Sequence, residues 1–277
     1  MDRAQNNRRL IVNADDFGQS HSINEAVIRA HREGILTSAS LMVNEDGFKE
    51  AVALARENPR LGVGLHLTLV FGHATLPPAR IPGLVDSQRR FSHQPVRTGL
   101  SYFARRNLRQ QLQAEIEAQF EKFRSTGLPL DHVNGHLHLH LHPTIFKILM
   151  EHARDWQITH LRWTRDPFWL NASIARGNWW YRIVHTLVHG FLCALARPVL
   201  RKNGIGHTRS VFGLLQHGRV DEAFVSRLLP ALPAGDSELY SHPSLDQFRN
   251  ELDALISPRI KALVERLGIR LIRYQDL

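Results

Sequence analysis

Two adjacent carboxylates, Asp15 and Asp16, close the run Leu10-Ile11-Val12-Asn13-Ala14 and are followed by Phe17-Gly18. Isolated imidazoles hold the same kind of position further on: His66 within Gly62-Val63-Gly64-Leu65-His66-Leu67, and His136 directly after Asp131-His132-Val133-Asn134-Gly135. A short apolar stretch that gives way to polar residues and glycine is a strand leaving the core. Each stretch therefore delivers one candidate ligand to a strand end. Asp16, His66 and His136 offer one oxygen and two nitrogens. That set suits Zn²⁺ at roughly 2.0–2.2 Å with a position left for water, and other divalent ions such as Mg²⁺ use it too. Asp15, not needed as a ligand, is free to take a proton from the attacking water. Singly, each residue has a plainer reading. A lone strand histidine is usually a hydrogen-bonded core residue, and paired aspartates can cap the next helix, where Ser20 or Ser22 with Glu25 resembles a capping box. Their joint placement at three strand ends favours the metal.

The tract His136-Leu137-His138-Leu139-His140-Leu141-His142-Pro143 is the densest run of imidazoles in the chain. Kept extended, it would put every histidine on one face; wound up after Gly135, it would bring His136 and His140 together on one side of a turn. His136 is the first choice as ligand, with His138 and His140 assigned to the substrate cleft, and Pro143 opens the next helix. Ser241-His242-Pro243 again ends a strand with an imidazole. His242 is a candidate general acid, since its ordinary pKa lies near working pH; a helix-capping role before Pro243 is the alternative.

The elements that must position these groups alternate. Strand-like segments fall at 9–15, 36–43, 61–69, 130–135 and 158–164, and helix-like segments at 22–33, 47–57, 104–126 and 143–155. Beyond 165 the pattern loosens into short strands at 208–215, 237–242 and 270–274 and helices at 221–229 and 245–266. Such alternation predicts a mostly parallel sheet wrapped by helices, here an irregular (β/α) barrel of seven or eight strands. Strand mouths converge at one end of such a barrel, so distant residues can share an ion. At 277 residues the expectation is a single domain.

A net charge of +9 calls for an anionic partner. The basic residues are scattered and match no nucleic-acid module, so no nucleic acid is expected. The informative segment is an insert around 168–204, where Trp179-Trp180-Tyr181 begins an apolar run that ends in Arg197, Arg201 and Lys202. Arg182, His185, His189 and Gly190 interrupt it short of a membrane span. An interfacial helix suits the aromatic and cationic ends, although spacing alone slightly favours a buried barrel helix. The lone cysteine, Cys193, excludes an internal disulfide. The polar stretch at 1–9 carries no apolar signal segment. Both point to the cytoplasm, with peripheral contact at the inner membrane face; a homodimer is also allowed.

Taken together, Asn13-Ala14-Asp15-Asp16-Phe17-Gly18, Thr37-Ser38-Ala39-Ser40-Leu41-Met42-Val43, Gly64-Leu65-His66-Leu67, the His136 cluster and Ser241-His242-Pro243 resemble the YdjC-like carbohydrate deacetylase family. Ala30-His31-Arg32-Glu33-Gly34-Ile35-Leu36 and Leu76-Pro77-Pro78 followed by Ile81-Pro82-Gly83-Leu84-Val85-Asp86 are most similar to its hopanoid biosynthesis-associated branch, HpnK. The resemblance implies metal-dependent removal of an N-acetyl group from an amino sugar on an irregular barrel. Asp15 is the implied base, and Asp16, His66 and His136 are the implied ligands of one divalent ion. For that branch the implied substrate is a hopanoid glycolipid carrying N-acetylglucosamine, which the Trp-rich insert would suit. A soluble chitooligosaccharide such as diacetylchitobiose is the alternative.

Overall fold

The computed structural model describes residues 7–175, 177–216 and 218–277; the start of the polar stretch at 1–9 lies outside the described residues. Seven strands, β1 (Arg8–Phe17), β2 (Ser38–Leu41), β3 (Gly62–Leu67), β4 (Val133–Gly135), β5 (Ser210–Phe212), β6 (Gly235–Ser241) and β7 (Arg270–Leu271), make one sheet, six of them in the order β4-β3-β2-β1-β6-β5 and β7 pairing with β1 off that path. β6 pairs with β1 from Arg8 to Ala14, while the other edge of β1 is shared, β7 taking Arg9 and Leu10 and β2 taking over from Asn13. All of these pairings are parallel. The intervening helices are α1 (His21–Glu33), α2 (Phe48–Glu57), α3 (Pro95–Ala104), α4 (Leu108–Arg124), α5 (Pro143–Glu151), α6 (Phe168–Ile174), α7 (Trp179–Lys202), α8 (Glu222–Ala231), α9 (Arg249–Ile256) and α10 (Pro258–Arg266).

The expected strand at 158–164 is an extended segment held by single bridges. Val133 N–H donates to the His160 carbonyl (3.0 Å), Leu161 N–H to that of Gly206 (3.0 Å), and Val211 N–H to that of Arg165 (2.9 Å). These bonds join the β4 end of the sheet to the β5 end. The result is the irregular barrel the alternation predicts, with seven strands and this segment in an eighth place.

Period-two alternation sorts β1 between two environments. Leu10, Val12 and Ala14 belong to the large apolar core shared with the helices, whereas Ile11 packs with Ile272 and Tyr274 in a separate small cluster. Asn13 and Asp15, on the Ile11 side, bond across the barrel interior to Ser40, Asn134 and Arg162. The barrel is therefore apolar outside its wall and, above a small apolar plug, filled with hydrogen-bonded polar groups. Buried polar groups are tolerated only when so paired.

Proline sets two boundaries that the sequence reading placed differently. The long helix expected at 245–266 is two helices, because Pro258 occupies the first turn of α10 and Ser257 caps it, its hydroxyl accepting from Ile260 N–H. Pro95 likewise opens α3, ahead of the helix expected from 104. The largest departure is α7. It runs 24 residues, yet only 22% of its most apolar window is buried, so it is not the buried barrel helix that spacing favours. Arg182 and His189 do not interrupt its apolar face, because both are buried against the domain.

Candidate active site

The two aspartates reach one pocket because β1 breaks its alternation. Successive strand residues point to opposite faces, but Asp16 adopts a left-handed conformation (φ 63°) and the β1–β2 register shifts between Ala14 and Phe17. A non-glycine residue held there stores about 1–3 kcal/mol of strain. The turn closes through Gln19 N–H to the Asp16 carbonyl (3.0 Å). Gly18 completes it at φ 91°, where an added Cβ would lie 2.8 Å from the Met42 carbonyl oxygen. The paired aspartates cap no helix: α1 is capped by Ser20, whose side chain accepts from Ile23 N–H.

Asp16 Oδ1 lies 3.2 Å from His66 Nε2 and 3.1 Å from His136 Nδ1. One candidate donor atom from each of the three residues falls within 4.8 Å of the others, so the structure brings together the triad named from sequence. Burial alone would raise the Asp16 carboxyl, but the imidazoles of His136 and His66 hold it well below the usual carboxylate range. Burial would lower His136; Asp16 beside it raises it instead.

A neighbouring amide fixes the tautomer of His66. Asn134 Nδ2 donates to Asp15 Oδ1 (3.1 Å) and to Ser40 Oγ (2.8 Å), which leaves its Oδ1 to accept from His66 Nδ1 at 2.7 Å. With its Nδ1–H held by Asn134, His66 turns Nε2 toward Asp16 Oδ1, where the ring can share a proton with the carboxylate or offer a lone pair to an ion held between them; a backing acceptor on the second ring nitrogen is what orients a ligating histidine. The donor set fits a divalent ion.

Asp15 is tied differently. Its Oδ1 accepts from Asn13 Nδ2 (2.9 Å), Asn134 Nδ2 and Arg162 Nη2 (2.9 Å), and its Oδ2 from Arg162 Nη1 (2.6 Å). The fully buried Arg162 also donates to Glu238 Oε1 through Nε (2.9 Å) and Nη2 (2.6 Å), and Tyr274 Oη donates to the other oxygen of Glu238. Burial pushes Asp15 up, but the Arg162 guanidinium outweighs it and holds the carboxyl well below its ordinary range. Among the described residues, Arg162 is the one donor to Asp15 Oδ2, so a lone pair there remains for another proton donor.

Asp15, His66 and His136 open into a cavity of about 450 Å³ that His138, His189, Tyr240 and His242 also line. The histidine tract is neither extended nor a regular turn. Leu137 and His138 are left-handed (φ 50° and 58°), and the imidazoles fan apart. His138 Nε2 meets Tyr240 Oη at 3.1 Å in the cavity wall. His140 is fully buried behind it, its Nε2 donating to the Arg162 carbonyl (2.9 Å), and it is absent from the lining. Burial pushes His140 down to about 3 and His189 to about 4, and it also lowers His138. The imidazoles of His138, His140 and His189 are therefore neutral at physiological pH. His242 caps no helix, since α9 begins only at Arg249; its backbone N–H donates to Glu251 Oε2 (2.6 Å) and its ring faces the cavity.

Arg162 and Glu238 were not singled out from sequence. Glu238 shares a period of two with the other strands, Asn13 and Asp15, Ser38 and Ser40, and Glu238 and Tyr240 each setting polar residues two apart; Arg162 and Thr164 repeat the spacing in the segment 158–164.

A profile of the YdjC-like protein family matches residues 9–266. The chain belongs to that family. Among curated relatives, a carbohydrate deacetylase of Brevibacillus brevis is 41% identical over 150 residues, 54% of this chain and 57% of that protein. With the first relatives, then, the match spans a little over half of their length. A chitooligosaccharide deacetylase of Yersinia enterocolitica is 30% identical over 285 residues, covering 96% of this chain and 98% of its own. A solved Enterococcus faecalis structure named for cellobiose-phosphate cleavage superposes with a TM-score of 0.76 at 24% identity, covering 98% of both chains, and shares the fold.

Proposed function

We propose that this chain, acting as one folded unit, hydrolyses the acetamide of an N-acetylated amino sugar, with the sugar borne on a hopanoid-type glycolipid at the inner face of the cytoplasmic membrane. The observation that carries the reading is a carboxylate, Asp15, paired with Arg162 beside a separate three-donor cluster, with Asp15 and the His66 and His136 members of that cluster lining one cavity. Such a spare carboxylate serves proton transfer and has no use in a site that only binds.

Asp16, His66 and His136 would hold one divalent ion, Mg²⁺ or Zn²⁺. Such an ion supplies Lewis acidity, polarising the carbonyl and making the attacking water more acidic. That matters for Asp15, because the pairing that keeps it ionised also makes it a weak base. Asp15 Oδ2 accepts a proton from water as the C–O bond forms. When the C–N bond breaks, His242 hands a proton to the departing nitrogen, and acetate and a free amine result. His138 and Tyr240, uncharged and hydrogen-bonded to each other, position the sugar; His140 acts behind them on the Arg162 backbone.

The test measures acetate released from a defined N-acetylglucosaminyl lipid and from diacetylchitobiose, before and after chelation and metal return. Release from the lipid that stops on chelation is expected. The Yersinia relative named for chitooligosaccharides supports the soluble sugar as a second reading, and release from diacetylchitobiose alone would select it. No release from either sugar would refute both.

A further inference from the structure

The first half of helix α7 turns its polar groups inward. Its buried positions are Arg182, His189, Cys193, Ala196 and Leu200, while Trp180, Leu187 and Phe191 project outward with 79%, 68% and 65% of their surface exposed. An ordinary surface helix turns its apolar stripe to the core and its polar groups to water. Here a charged residue and an imidazole face inward, and the outward arc is apolar until the last turns. A second apolar surface stands nearby, where Val96, Leu100 and Phe103 of α3 are exposed. Val96 and Leu137, together with Tyr181 and His185 of α7, line the site cavity, so the two apolar faces flank one mouth.

Past Leu195 the helix changes character. Arg197, Arg201 and Lys202, with Arg165 and Arg209, edge an open groove of about 1410 Å³ whose lining holds no carboxylate. Arg165 and Arg197 both lie over the Trp163 ring, at 5.5 and 5.8 Å. None of these five cations forms an ion pair among the described residues. Unpaired positive charge at the end of an exposed apolar helix calls for an anionic partner that is itself apolar beneath its charges.

We infer that this surface seats on an anionic lipid bilayer, with α7 lying in the plane of the interface, Trp180, Leu187 and Phe191 among the upper acyl chains, lipid phosphates in the cationic groove, and the cavity mouth at headgroup depth. By length and composition α7 could cross a membrane. It lies along the surface instead, because Cys193, Ala196 and Leu200 are packed against the domain along one side. A second copy of the chain is a poorer occupant: it carries the same charge of +9 and would bring cations against cations. The inference rests on the proposed function only in that a lipid-borne sugar would then meet the cavity without leaving the membrane.

The experiment is co-sedimentation of the full chain with phosphatidylcholine vesicles, with and without about 30 mol% phosphatidylglycerol, alongside light scattering of the chain in solution. Binding to the anionic vesicles is expected, falling with salt. Trp180→Ser with Phe191→Ser should abolish it while leaving the unfolding midpoint unchanged, since both side chains are exposed. Arg197→Gln with Arg201→Gln should weaken binding about 30-fold, a factor of roughly five for each cation. No binding to anionic vesicles would overturn the inference. So would binding that the Trp180/Phe191 pair does not alter, or a dimer that this pair dissolves while vesicle binding persists. Vesicle binding needs no turnover, so failure here and failure to release acetate are separate results.

Discussion

Replacing Arg162 with Met leaves two buried carboxylates, Asp15 and Glu238, without the guanidinium that bonds to both. Met fills similar volume, so the loss is electrostatic. Breaking a buried ion pair from one side costs about 3–5 kcal/mol, and for a chain of this size each kcal/mol lowers the melting midpoint by roughly 2–4 °C. A drop on the order of 10 °C is expected at pH 7.5. The pH dependence separates this cause from mere loss of packing. In the native protein Arg162 overrides burial and holds Asp15 below its unfolded value. That stability is present above the unfolded pKa and is lost as pH falls through the folded one. In Arg162→Met burial, the largest influence on Asp15, is opposed only by the imidazoles of His66 and His242 and the amides of Asn13 and Asn134, so Asp15 shifts upward and the variant loses stability as pH rises through its new value. The gap between the two proteins must therefore be wide at pH 7.5 and narrow toward pH 4.5. Urea unfolding of both proteins at the two pH values measures it, and Arg162→Lys, which keeps the charge but not the double fork, should fall between. An equal gap at both pH values would refute the electrostatic account of the site. So would acetate release in Arg162→Met with its acid limb unmoved.

Asp15→Asn should abolish acetate release while Zn²⁺ binding, measured by calorimetry, stays near one equivalent; His66→Ala should lose the ion as well. Metal loss in Asp15→Asn with activity restored on re-addition would contradict the division of roles. Asn134→Ala removes the acceptor for His66 Nδ1 and should weaken metal binding about 10–100-fold, with unchanged affinity as the contrary result. Away from the site, burial pushes the Asp166 carboxyl up to about 7. Its protonated form is favoured in the folded state, so the associated stability is present at low pH and lost as pH rises through 7. Asp166→Asn should gain on the native protein between pH 5 and pH 8, by at most about 3 kcal/mol; a constant difference across that range would show that Asp166 titrates normally.

Which parts of this molecule sequence could reveal depends on whether the determining contact is local. The buried run of β1 and the Pro143 start of α5 are written in adjacent residues, and both are found where the pattern puts them. The break of 245–266 at Pro258 was also written locally, in a residue that cannot continue a helix. The segment at 158–164 carries a strand's composition but makes only single bridges, and the periodicity of one segment says nothing about how many partners it finds. The histidine tract is harder still. Left-handed Leu137 and His138 satisfy no local preference, and His138 lies against Tyr240, 102 positions away.

The cluster of Asp16, His66 and His136 was legible because each residue lies at the end of its own strand, and a parallel barrel brings strand ends together whatever the register. The group that sets the protonation of Asp15 was not legible for the converse reason. Arg162 lies 147 positions from Asp15 and 76 from Glu238, and its choice of partners is fixed by the closure of the barrel through a segment that is barely a strand. Read alone, Leu161-Arg162-Trp163 is a basic residue between apolar neighbours. Within the barrel it is a cation shared by two carboxylates in a space from which water is excluded, where a small displacement changes a pairing worth several kcal/mol. The three-residue cluster is thus specified by strand order, and the state of Asp15 by how the sheet closes. Substitutions that loosen the 158–164 segment should therefore perturb Asp15 before they disturb the cluster of Asp16, His66 and His136.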